Sequence, residues 1–211
     1  MPLKWKAPVG RSEKDAYFLL KKNAMELDRR EIEGKLKEVI EEIEKYNPKS
    51  DVYLILIGGA SLILKYGLRR TTKDIDVAVR PYMGGLGDLL SRKGFQVVAE
   101  GFLNLPPDYE ERLEPVMEGR KVHVLTLSPY DLAVSKISRG LAKDIEDVVN
   151  SELINRIDVE KLRKIYFDAI DYWIGDRRKF VWAWEDFEDA YKRKVQPKKA
   201  LRKGKRPRRS P

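Results

Sequence analysis

The 211-residue chain carries 43 Lys and Arg against 34 Asp and Glu, one histidine and no cysteine, for a formal net charge of +9. That composition excludes a disulfide framework, a thiol nucleophile and a zinc site built on cysteine or histidine. The length allows one ordinary domain, or a small catalytic core with a helical appendage, and either can bury a full core.

From the N-terminus, a short helix is expected around Glu13 to Lys22. Asp28-Arg29-Arg30-Glu31 reads as a capping box, with the cap residue and its Glu partner three positions on. Ile32, Leu36, Val39, Ile40 and Ile43 then form one apolar stripe, so a helix should run to about Tyr46 and stop before Pro48. Val52 to Ile57 is an unbroken apolar run with the length of a buried strand. Gly58, Gly59 and Ser61 end it, and Leu62, Ile63, Leu64 and Tyr66 resume at helical spacing. A strand, a glycine turn and a helix N-terminus together aim backbone N–H groups outward and suit a phosphate. Asp74-Ile75-Asp76-Val77-Ala78-Val79 alternates with period two, so Asp74 and Asp76 share a face opposite Ile75 and Val77. Adjacent carboxylates of this kind are hard ligands for Mg²⁺.

Each feature alone is ordinary, since glycine turns and polar strand faces are common. In this order, separated by one short helix, they resemble the signature of the nucleotidyltransferase superfamily: an apolar residue, Gly, Gly or Ser, then Asp-x-Asp. Arg70-Thr71-Thr72-Lys73-Asp74-Ile75-Asp76 is similar to the Arg-x-Thr-x-Asp-Ile-Asp form of the AbiEii toxin-like branch, known from toxin–antitoxin and phage-abortive systems. The resemblance covers about residues 52 to 148. It implies that Asp74 and Asp76 are catalytic metal ligands holding two Mg²⁺ with a bound NTP. It likewise implies that Gly58, Gly59, Ser61, Arg70 and Thr72 bind the nucleotide.

Farther along, Arg80-Pro81 ends the strand and Gly84-Gly85 marks a loop. Leu86 to Lys93 reads as a helix closed by Gly94, and Phe95 to Ala99 as a strand. Arg112 to Val116 and Lys121 to Leu127 are β-like, and Glu118-Gly119 suits a hairpin turn. Active members of the superfamily usually carry a third carboxylate on a strand beside Asp-x-Asp, serving as base or further ligand. The strand Val122 to Leu127 has no acid, which leaves Glu114 as the candidate and Glu100 behind it. His123 on that strand reads as a structural residue.

Ser128-Pro129-Tyr130-Asp131 opens a helix, with Ser at the cap and Pro at the first helical position. Gly140 should break it, and Lys143-Asp144 starts the next segment. Asp131-Leu132, Lys136 and Lys143-Asp144-x-x-Asp147 resemble the downstream signature of the same branch. In that likeness Lys136 reaches the triphosphate and Asp144 orients it or helps hold Arg70 and Lys73, while Lys143 and Asp147 read as a surface pair at i, i+4. Asp158 caps a further helix, and Phe180, Trp184, Phe187 and Tyr191 recur at helical spacing as a core stripe.

The last stretch is different. From Lys192 onward there are eleven Lys or Arg and no acid, so that removing the tail's charge from +9 leaves −2 for residues 1–191. Interspersed with Pro, Gly and Ala, this tail cannot bury apolar area and is expected to be disordered. It reads either as an arm for tRNA or other RNA, holding phosphates, or as a solubilising tail. No apolar stretch reaches the roughly 18 residues of a membrane span, and no signal-peptide core opens the chain. A cytoplasmic protein without membrane contact is expected.

The expected fold class is α+β: a small mixed β-sheet core at 51–127, an N-terminal helical extension at 1–50, a C-terminal helical bundle at 128–191 and the tail at 192–211. The expected function is Mg²⁺-dependent transfer of an NMP from an NTP to a hydroxyl of an RNA (tRNA) or protein acceptor, with a cognate toxin or antitoxin partner. The alternative is a catalytically inactive member of the same fold acting as an RNA-binding or antitoxin-like regulatory module.

Overall fold

The computed structural model describes residues 26–99, 104–173 and 175–195. The expected helix at 13–22, Glu100 and the tail beyond residue 195 lie outside the described residues. The described residues divide into two compact units, one comprising 26–65, 69–98 and 115–125, the other 66–68, 99, 104–114, 126–173 and 175–195. The protein is a mixed α+β fold.

The first unit is built on a five-stranded mixed sheet. Helix α1 (Arg29–Lys45) begins at Asp28, whose carboxylate accepts from the Glu31 N–H while the Glu31 carboxylate accepts from the Asp28 N–H. Both orphan donors are thereby satisfied. Its apolar stripe, Ile32, Leu36, Val39, Ile40 and Ile43, is buried. Strand β1 (Val52–Ile57) runs into α2 (Gly58–Lys65) with no intervening loop. Then come β2 (Ile75–Arg80), α3 (Leu86–Arg92), β3 (Phe95–Val97), β4 (Glu114–Glu118) and β5 (Val122–Thr126). The strand order is β3-β2-β1-β5-β4. β1 and β2 pair antiparallel, with Ile57 opposite Asp76, and β2 and β3 pair parallel.

Both faces of the central strands are covered. Val52, Leu54, Leu56, Ile75 and Val77 are wholly buried, and Ile55 and Ala78 nearly so. The one histidine is structural here. His123 stacks on Tyr53, its Nδ1 lies 2.5 Å from Glu118, and its Nε2 is 3.8 Å from Asp51.

The second unit is helical: α4 (Pro129–Ile137), α5 (Ala142–Asn150), α6 (Val159–Asp168) and α7 (Arg177–Val195), with 3₁₀ turns at Tyr109–Arg112, Glu152–Arg156 and Ala169–Tyr172. Ser128 and Asp158 cap their helices as their positions predict. Gly140 sits at φ +65°, ending the turn that separates α4 from α5. Phe180 and Trp184 are buried against Tyr166, whose hydroxyl donates to the Phe180 carbonyl, and buried Phe187 packs on Trp184.

Three local expectations shift. Arg112 lies in a 3₁₀ turn, not on a strand, because its guanidinium bonds to Asp108 and Asp131. Asp147 is buried and faces Lys136, so it is no surface partner of Lys143. Lys192, Arg193 and Lys194 fall in the last turn of α7, where cations suit the negative end of the helix dipole.

Candidate active site

The glycine corner is set by the junction of β1 and α2. Gly58 has φ +70°, a conformation that costs an L side chain roughly 1–2 kcal/mol. A Cβ there would also stand 2.9 Å from Asp76 Oδ2, since Asp76 lies beside the corner through its register with Ile57. A Cβ on Gly59 would stand 3.1 Å from Thr72 Oγ1 and 3.6 Å from Arg70 Nη2. The corner thus gathers Asp76, Thr72 and Arg70 around two α-carbons with no side chains. These residues come from a strand, a loop and a turn of the sheet unit, and the fold assembles them.

Asp74 sits one residue ahead of β2 and is exposed, and Asp76 is half-buried on it. The loop is fixed from two sides. Leu27 and Thr72 exchange backbone hydrogen bonds of 2.6 and 3.0 Å, and the Thr72 hydroxyl donates to the Asp74 carbonyl at 3.1 Å. Thr71 donates to Glu26 at 2.5 Å. Ser61 is fully buried in the first turn of α2, and its Oγ has no hydrogen-bond partner among the described residues. Its side chain therefore lines the interior beneath the corner, while the backbone of Gly58 and Gly59 faces the acids and cations.

Two carboxylates make a hard oxygen donor set suited to Mg²⁺, which binds few protein ligands and fills its sphere with water and phosphate oxygens. Among the described residues no group of three His, Cys, Asp or Glu side chains is placed to hold a metal alone. The residues fit a cation shared with a phosphate ligand, and the missing Cβ atoms leave room for that ligand's approach. A cavity of about 410 Å³ in the same unit, lined by Ile43, Tyr46, Met83, Leu86, Asp88 and Arg92 among others, includes none of these residues.

The remaining predicted residues belong to the helical unit. Glu114 is partly exposed, with Arg156 at 3.9 Å. Lys136 is only 2% exposed and donates to Asp144 at 2.8 Å and Asp147 at 3.2 Å. Arg139 donates to the same Asp144 oxygen at 2.6 Å. Burial disfavours the charge on Asp144, but the hydrogen bonds and fields of Lys136 and Arg139 outweigh it and hold its carboxyl below the usual carboxylate range.

A second buried acid, Asp131, is wholly enclosed. It accepts a fork from Arg112 at 2.8 and 3.0 Å and the Ser128 hydroxyl at 2.5 Å. The pairing of Arg112 with Asp131 has no sequence signal, because nineteen positions separate the partners and neither helical nor strand periodicity relates them.

A family model described as a nucleotidyltransferase of unknown function (DUF6036) matches residues 34–192. No curated protein and no solved structure gives a match.

Proposed function

The chain belongs to this nucleotidyltransferase family, and from that membership we propose that it transfers an NMP from an NTP to an acceptor hydroxyl with the help of Mg²⁺. The observation that carries the reading is the corner itself: Gly58 against the Asp76 carboxylate, and Gly59 against Thr72 and Arg70. Asp74 and Asp76 would hold the metal, which when bound neutralises charge on the phosphate oxygens. The backbone of Gly58 and Gly59 would let the phosphates approach closely, and Arg70 and Thr72 would donate hydrogen bonds to them. The acceptor oxygen attacks the α-phosphorus, the bond to the β-phosphate oxygen breaks, and pyrophosphate leaves. In this reaction class positioning and charge stabilisation supply most of the rate.

The acceptor we favour is an RNA end, a tRNA in the first instance, because the eleven cations from Lys192 onward suit a phosphate backbone. A protein hydroxyl and a cognate toxin or antitoxin partner follow from the likeness to the AbiEii toxin-like branch. The test is to incubate the protein with each α-labelled NTP, Mg²⁺ and total RNA or cell protein, beside Asp76→Asn. Label on an acceptor only with Asp76 intact supports the enzyme. No transfer with any NTP and any acceptor removes it.

One observation favours a second reading, a catalytically silent binding module. Among the described residues no third acid joins Asp74 and Asp76 in a metal-competent group. Retention of RNA or partner binding in a protein that neither binds nor transfers any NTP would establish that reading.

A further inference from the structure

We propose that Arg139, on the turn between α4 and α5, is an oxyanion-binding residue of the helical unit, one that takes a phosphate group, and that Lys136 and Asp144 are the positioning residues that aim it. This rests on the nucleotidyltransferase reading, because it supposes a phosphate-bearing substrate.

Two cations project from the same helical segment, three positions apart, and their surroundings differ sharply. The Lys136 ammonium is enclosed, at 3% side-chain exposure, and both Asp144 and Asp147 accept from it. Bringing it to a phosphate would withdraw a buried cation from two buried carboxylates, a change that costs far more than a new surface contact returns. Arg139 is placed the other way. Its side chain is 49% exposed, and one nitrogen is fastened to buried Asp144 at 2.6 Å.

A guanidinium has five N–H donors in a rigid fork, so a single anchor leaves the others available. Gly140, at φ +65°, turns the chain immediately after it, so the residue sits on an exposed bend between two packed helices. Asp144 is held ionised by Lys136 behind it and Arg139 in front of it. The arrangement is a fixed anchor carrying a prepositioned fork, which spares the entropy of ordering a free side chain on binding. Oxyanions are the partners that such a fork fits, whether the triphosphate of an NTP or the phosphodiesters of an acceptor RNA.

The experiment measures equilibrium binding of inorganic tripolyphosphate, a non-hydrolysable NTP analogue with Mg²⁺, and a short single-stranded RNA. The proteins are the full chain and its Arg139→Gln, Arg139→Lys, Lys143→Gln and Lys136→Met variants, each with a melting curve. Arg139→Gln is expected to weaken at least one of these ligands about tenfold, as loss of a charged hydrogen bond does, with the melting temperature moved by no more than about 2 °C. Arg139→Lys should recover only part of the loss, because an ammonium lacks the fork.

Lys143→Gln removes one exposed positive charge from the adjoining turn without touching Asp144, and should cost about twofold or less. Lys136→Met should lower the melting temperature markedly. Loss on tripolyphosphate and the analogue assigns Arg139 to the nucleotide, and loss on RNA alone assigns it to the acceptor. Unchanged binding of all three ligands by Arg139→Gln overturns the proposal, as does an equal loss in Lys143→Gln, which would mean general attraction only. If Arg139-dependent binding persists in a protein that transfers no nucleotide, the inference stands and the enzymatic reading fails.

Discussion

The sheet unit and the helical unit both carry pairs of aspartates that fall on family-like motifs, and they treat them in opposite ways. In the sheet unit Asp74 is exposed and Asp76 is half-buried, its carboxylate beside the bare α-carbon of Gly58. In the helical unit Asp144, Asp147 and Asp131 are each 5% exposed or less and are matched by Lys136, Arg139 and Arg112. The same residue type stands partly exposed beside a glycine corner in one place and is buried against cations in the other. Identity at a motif position therefore does not fix a side chain's burial or its neighbours; the packing around it does.

The sharpest way to break that contrast is to remove Lys136. Lys136→Ala removes the buried cation that both Asp144 and Asp147 bind, and stability should fall by roughly 3–5 kcal/mol in urea unfolding. A loss under about 1 kcal/mol would mean that the triad is not buried in solution. Next in size is Gly58→Ala. It forces a side chain into a left-handed backbone and against Asp76, costing about 1–2 kcal/mol and abolishing nucleotide transfer.

A smaller effect concerns acid. The folded-state carboxyl of Asp144 lies below its ordinary value, so its contribution is complete above the unfolded value of about 3.9 and disappears as pH falls through the folded one. Asp144→Asn should therefore flatten the fall of stability below about pH 4 relative to the native chain, measured by denaturant midpoints across pH. The smallest expected change in stability is that of Asp74→Asn, within about 0.5 kcal/mol because the residue is exposed, while transfer activity is lost. Together with Lys136→Ala it separates the two treatments of an acidic motif in one pair of assays.

Much of this molecule is written locally. Asp28 with Glu31, Ser128 with Pro129, and Asp158 each announce a helix start through backbone donors that only a nearby oxygen reaches, and all three helices begin there. The apolar run 52–57 followed by two glycines likewise announces the β1–α2 corner. What stayed hidden depends on pairing at a distance. The fork of Arg112 on Asp131 and the burial of Lys136 arise from helix packing, which no short-range spacing encodes. The complete burial of Ser61 is hidden in the same way, because packing around α2 and not its place after the glycines decides it.

The reciprocal bond between Leu27 and Thr72 acts as a splint across the stretch that presents Arg70, Thr72 and Asp74. Its other half precedes the first turn of α1, far from the acids in sequence. An N-terminal deletion that removed Leu27 would therefore unclasp this loop while leaving Arg70, Thr72 and Asp74 themselves in place.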